Sequence, residues 1–168
     1  MDTCVLRFAL EYEAGECGEG SGGVESYKKR FYKILAGLFK NNDVVVVLNS
    51  ETGREYYRHI QAVKNRVSRK TRVNPSFSLL KIFKKVRRKV EDAEYEYTFE
   101  GEPVCRKDMH LLNSAKTGAL TFGEPVAYVI TAARDVYCGK SARNGKGIKI
   151  YLLNLFDEND LEIIEKLI

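Results

Sequence analysis

The chain has no tryptophan, three prolines, two methionines and only two histidines among its 168 residues. With so little histidine, a His-rich metal centre is excluded, and a paired-histidine acid–base site would need both His59 and His110. The four cysteines, Cys4, Cys17, Cys105 and Cys138, are scattered with no C-x-x-C pair. That spacing does not build a structural zinc site, and it reads as reduced, buried thiols. No apolar run approaches the roughly eighteen residues of a membrane-spanning helix, so no membrane partner is expected. The opening MDTCVLRFALEYEAG carries acids and no basic leader, which is not the pattern of a signal peptide and predicts a cytoplasmic protein. High charge with many Tyr, Val and Lys and few Met is also the composition expected of a thermophile.

The most telling absence is local. Between Lys64 and Lys89 there is no Asp or Glu, while eleven of the twenty-six residues are Lys or Arg. The whole chain is only +5, so the remainder carries 17 basic against 23 acidic residues, a balance of −6. A basic band on a mildly acidic body points to a polyanionic partner, DNA or RNA.

The elements read as follows. Residues 4–13 alternate, with Leu6, Phe8, Leu10 and Tyr12 opposite Arg7, Glu11 and Glu13, and predict a half-buried strand. The glycine-rich stretch from Gly15 to Gly23 invites a phosphate-cradle reading. Its spacing matches neither the P-loop nor the dinucleotide fingerprint, and Glu16 and Glu19 repel phosphate, so no cofactor is expected. Tyr27, Phe31, Ile34, Leu35, Leu38 and Phe39 recur at helical spacing over 26–41. The run Val44–Leu48 predicts a strand in the middle of the sheet. Thr52 and Glu55 have the spacing of a capping box, ahead of a helix with a stripe of Tyr56, Ile60, Val63 and Val67. Arg54, Arg58, Gln61 and Asn65 project from its other side.

Residues 64–73 end that helix and form a basic linker with Arg66, Arg69, Lys70 and Arg72. Asn74-Pro75 signals a new helix over 75–92, with Leu79, Phe83, Val86 and Val90 toward the core. Its reverse face carries Lys81, Lys84, Lys85 and Arg88, flanked by Arg87 and Lys89. Residues 95–99 read as a short strand and 101–124 as an irregular excursion. Residues 125–138 and 146–156 read as strands, joined by a hairpin loop at 139–146 with Asn144-Gly145 at its turn. Asp157 starts a final helix with Leu161, Ile164 and Ile168 on one side. The order of a first strand, a glycine-bearing loop, a helix and a late basic segment at Gly139–Gly147 before an apolar strand resembles ferredoxin-like RNA-binding proteins of CRISPR systems. The order departs from theirs after residue 50.

The expected fold is α+β: one domain over 1–168, with a mixed sheet of about five strands and helices packed on it. The expected function is nucleic-acid binding through the helix at 75–92, the 64–73 linker and Lys140, Arg143 and Lys146 of the hairpin loop. A run of like charges at i and i+4, such as Lys81/Lys85 and Lys84/Arg88, costs helix stability, and an external anion would offset that cost. Two alternatives remain open. One is a metal-independent ribonuclease or other small nuclease, with His59, His110 and Tyr57 as candidate catalytic groups. The other is a non-enzymatic assembly or inhibitor protein, pairing with a second copy or a partner through the C-terminal helix. Asp43, Glu51 and Asp135 are too dispersed in sequence to suggest a two-metal site.

Overall fold

A computed structural model describes residues 1–15, 22–100, 106–132, 140–143 and 147–168. In chain order the elements are α1 (Thr3–Glu13), α2 (Gly22–Lys40), β1 (Val46–Leu48), α3 (Ser50–Thr71) and α4 (Ser78–Val86), then β2 (Arg87–Lys89) and β3 (Thr98–Glu100). They continue through a 3-10 turn at Arg106–Asp108 into α5 (Met109–Phe122), then β4 (Val126–Thr131), β5 (Lys140–Arg143), β6 (Lys149–Asn154) and α6 (Glu158–Glu165). The chain is thus a mixture of helix and strand. Its strands divide between two sheets, a parallel pair β1–β2 and a four-stranded sheet ordered β3-β5-β6-β4, in place of one sheet of about five strands. In the larger sheet β4 runs parallel to β6, and β5 is antiparallel to both its neighbours.

The first element is a helix and not a strand. Val5, Leu6, Ala9 and Leu10 are all buried, at offsets 0, 1, 4 and 5, a helical face that the alternation of larger side chains masks. Asp2 starts it, its carboxylate accepting the Cys4 N–H at 3.1 Å. With a helix in first place, the outline of a ferredoxin-like fold is lost. The glycine-rich loop falls largely on residues 16–21, outside the described residues, as do Cys17, Cys105 and Cys138.

Among the described residues β1 is no central strand: it pairs with β2 at one edge only, and its burial comes from the helices that cover Val46 and Leu48. The next helix begins earlier than the capping-box spacing predicts. Asn49 is the cap, its side-chain oxygen accepting the Thr52 N–H at 2.9 Å, and Thr52 is buried inside the first turn. The core stripe of α3 holds, with Tyr56, Val63 and Val67 buried. The helix extends through most of the expected linker and stops where Arg72 turns into the left-handed region at φ 58°.

The following helix is shifted and shortened. It starts at Ser78, three residues past Pro75, because its orphan N–H groups are met by a side chain from elsewhere. The Glu13 carboxylate, at the end of α1, accepts from the N–H and hydroxyl of Ser78 and from the N–H of Leu79. Leu79, Leu80 and Phe83 fill the core, and Phe83 stacks on Tyr56 with ring centroids 5.5 Å apart. The helix then ends at Val86 instead of Asp92. Residues 87–89 are extended and pair in register with Val46–Leu48, and the Val90 N–H continues the ladder to the Leu48 carbonyl at 3.0 Å. Strand pairing supplies hydrogen bonds to a segment whose repeated cations weaken a helix.

The segment expected to be irregular contains α5, a helix that lies against β1 and β4 with Leu111, Leu112, Ala115 and Ala119 in the core. Gly118 permits its close approach to β1: a Cβ there would meet the Val47 side chain at 2.7 Å. The four-stranded sheet separates two apolar clusters. Ile150 and Leu152 of β6 face α5, while Leu153 and Leu155 join the larger cluster formed by α1 to α4 and α6. Asp157 caps α6 as its position predicts, accepting from the N–H groups of Asn159 and Asp160. Leu161 and Ile164 are buried in that core, while Ile168 of the expected stripe and Ile163 beside it are exposed.

One ion-pair cluster ties the helices together. The Glu11 carboxylate of α1 meets Lys28 of α2 at 2.8 Å and Arg66 of α3 at 2.8 Å. Burial pushes the Glu11 carboxyl up, but the hydrogen bonds and charges of Lys28 and Arg66 outweigh it and hold the group below its ordinary value.

Candidate nucleic-acid interface

The basic band resolves into two zones. Arg69, Lys70 and Arg72 are exposed near the C-terminal end of α3, a helix of 22 residues and therefore about 33 Å long. The chain then reverses: α4 leads back toward β1, and β2 delivers Arg87, Arg88 and Lys89 beside the N-terminal end of the same helix. Lys81, Lys84 and Lys85 are exposed along α4 between these zones. Arg66 stands apart from the rest, since its guanidinium is engaged by Glu11.

At the β2 end the cations line a concavity. A cleft of about 590 Å³ opens between β2 and the first turns of α3, bounded by Leu48, Asn49, Ser50, Arg54, Tyr57, Arg58, Arg87, Arg88 and Lys89. Local geometry explains the convergence. Ser50, Arg54, Tyr57 and Arg58 recur at intervals of three and four, so they share one side of α3. β2 stands next to that side because its partner β1 ends at Leu48, where the chain enters α3. Five cations from segments some thirty residues apart thus surround one open space. Among the described residues, no carboxylate lies within ion-pairing distance of any of the five. Arg88 is braced by the backbone, donating to the carbonyls of Lys85 at 2.7 Å and Arg87 at 2.9 Å.

One anion does reach the rim. Asp92 accepts the Ser50 N–H, the first of α3, at 2.7 Å. Hydrogen bonds from the Ser50 hydroxyl and N–H, reinforced by the nearby charges of Lys89 and Arg54, hold the Asp92 carboxyl below its ordinary value. The exposed carboxylate therefore sits where a helix N-terminus and two cations favour negative charge. Tyr57 projects into this setting with 66% of its surface exposed, making no ring contact or hydrogen bond among the described residues. A second cavity of about 590 Å³, on the α5 side of β1, has Val44 to Val47, Leu111, Ala115 and Phe122 among its walls and no Lys or Arg. The contrast marks the β2 cleft as the cationic one of the two.

The remaining sequence candidates are dispersed. Lys140 and Arg143 lie on β5, in the backbone of the larger sheet, and Lys146 falls outside the described residues with the Asn144-Gly145 turn. His110 is buried on α5, its Nε2 3.1 Å from a carboxylate oxygen of Glu55 on α3. His59 lies one turn along α3 from Glu55 and is half-buried. Among the described residues, only His110 of the two pairs with that carboxylate, and its ring is enclosed. Tyr57 stands apart from them, among the cations.

Arg54 and Arg58 are the site residues that the charge run did not include. Their signal was present: two arginines at i and i+4 opposite the core stripe, after a strand that leads into a helix N-terminus. Among the described residues, no group of three His, Cys, Asp or Glu converges in a way that would hold a metal ion. No described helix is long and apolar enough to cross a membrane. No family model matches the chain, and no curated protein or solved structure matches it either.

Proposed function

We propose that the protein binds nucleic acid, gripping backbone phosphates in the cleft between β2 and α3 and along the exposed cations of α4. The observation that carries this reading is the convergence of Arg54, Arg58, Arg87, Arg88 and Lys89 on one open concavity without ion-pair partners among the described residues. Five unpaired cations that close repel one another and are further disfavoured by the positive end of α3. Phosphates would relieve the repulsion, and released counterions would supply much of the affinity.

The reading has a measurable salt signature. With three to five cations each neutralising one phosphate, log Kobs should fall against log salt with a slope of roughly −2 to −3.5 on a single strand and about −3 to −4.5 on duplex DNA. The test is fluorescence anisotropy with labelled DNA and RNA, comparing the wild type with two charge reversals. One changes Arg58, Arg87 and Lys89 to Glu; the other changes Lys81, Lys84 and Lys85 to Glu. The cleft variant should lose binding by more than an order of magnitude and flatten the salt slope, while the α4 variant loses less. All six side chains are exposed, so thermal stability should move little. Affinity within twofold of wild type for the cleft variant would overturn the proposal.

A further inference from the structure

The cleft combines cations with an aromatic ring, and that combination distinguishes strand types. We propose, resting on the nucleic-acid reading above, that its ligand is a single-stranded segment whose unpaired base stacks on Tyr57 while the flanking phosphates lie against Arg54, Arg58 and the β2 cations. Tyr57 is the most exposed large apolar side chain among the described residues, at 66%, whereas its neighbour Tyr56 is buried and stacked on Phe83. Adjacent tyrosines on one helix therefore have opposite fates: Tyr56 belongs to the core and Tyr57 to the cleft wall. Leaving an aromatic ring this exposed forfeits its burial. A ring without partners is available to stack on a base.

The placement also fits the spacing of a strand. Arg54 and Arg58 sit one turn apart with Tyr57 on the same side, so a base on the ring would have cations on either side of it along α3. In a duplex the base faces are occupied by neighbouring pairs and cannot lie on a side-chain ring. Only an unpaired base can use Tyr57. Every base has a π-face, so this contact favours single strands without selecting a sequence. The cleft volume of about 590 Å³ is in the range that accommodates a small organic group such as one nucleotide.

The test uses four labelled probes of equal length with the full chain: single-stranded RNA, single-stranded DNA, duplex DNA, and an abasic DNA strand with phosphates but no bases. Each is titrated against wild type, Tyr57→Ala and Tyr57→Phe by anisotropy at fixed low salt. Wild type should bind the base-bearing single strands more tightly than the abasic strand. Tyr57→Ala should weaken the base-bearing strands by roughly 5- to 150-fold while leaving the abasic strand unchanged. Tyr57→Phe, which keeps the ring, should stay within about twofold of wild type. The RNA and DNA arms show whether the 2′-hydroxyl adds anything. Tyr57→Ala losing equally on abasic and base-bearing strands, or losing nothing, overturns the stacking assignment and leaves phosphate binding standing. Duplex binding as tight as single-strand binding overturns it too. Absence of binding by any probe overturns both readings.

Discussion

Replacing Glu11 by Gln removes one negative charge from under three helices, and the structure sets the size of the consequence. The Glu11 side chain is 10% exposed and that of Lys28 is 11% exposed, whereas Arg66 is 46% exposed. Arg66 is already half in water, but without the carboxylate the largely buried Lys28 ammonium loses a charged contact at 2.8 Å. Breaking a buried pair by removing one partner costs about 3–5 kcal/mol, and the exposure of Arg66 places the expected loss near the lower end, about 3 kcal/mol. For a chain of this length each kcal/mol lowers the melting temperature by about 2–4 °C, so a drop of roughly 6–12 °C is expected. Urea and thermal unfolding followed by circular dichroism measure it. The pH dependence gives a second readout. A carboxyl held below its ordinary value near 4.5 contributes stability that is fully present above that value and is lost as pH falls through the folded value. The gap between wild type and Glu11→Gln should therefore be constant at neutral pH and close on acidification below about 4.5. A loss under 1 kcal/mol for Glu11→Gln, or a gap that widens in acid, would refute the assignment of this cluster as a buried tie.

Two further outcomes follow from contacts near β1. Asp92→Asn removes the carboxylate that sits on the α3 N-terminus between Lys89 and Arg54, so oligonucleotide affinity should rise severalfold in anisotropy titrations at neutral pH. An affinity equal to or below that of wild type would show that Asp92 does not compete with the ligand. Gly118→Ala places a methyl group 2.7 Å from the β-branched Val47 side chain, which cannot swing aside. Overpacking costs about 1–3 kcal/mol and exceeds the helix-propensity gain of up to about 1 kcal/mol, so melting temperature should fall. A rise would mean that α5 and β1 are less closely docked than the structure places them.

What could be read from residues alone tracks the range of the interactions involved. α2, the α3 core stripe and the Asp157 cap of α6 depend on neighbours within a few positions, and periodicity revealed them. α1 was misread because Leu6, Phe8, Leu10 and Tyr12 alternate by size, while Val5 and Ala9, the residues that complete the helical face, are small enough to pass for the other side of a strand. The start of α4 was misplaced for a different reason: its cap, Glu13, lies 65 residues away. No local signal encodes that. The end of α4 is likewise decided at long range, by β1. Sequence identified Arg87, Arg88 and Lys89 as a charge feature but put them on a helix face, and it left Arg54 and Arg58 on the back of another helix. Only the pairing of β2 with β1 brings the two sets together.

That pairing changes what the charges can do. In a continued helix the residues of the run would rise about 1.5 Å apiece and fan out at 100° intervals, presenting a convex stripe to a partner. As a strand they advance about 3.3 Å apiece beside the first turns of a second element, and the surface between them is concave. A convex stripe meets a polyanion through screened, solvent-separated contacts, each worth little at physiological salt. A cleft would surround a bound polyanion with cations and a helix N-terminus, and it would displace water from one side of that ligand's backbone. The same substitution budget of basic residues thus yields a site with shape as well as charge. The Asp92 carboxylate on the Ser50 N–H shows the local preference for an anion already satisfied once, by the chain itself.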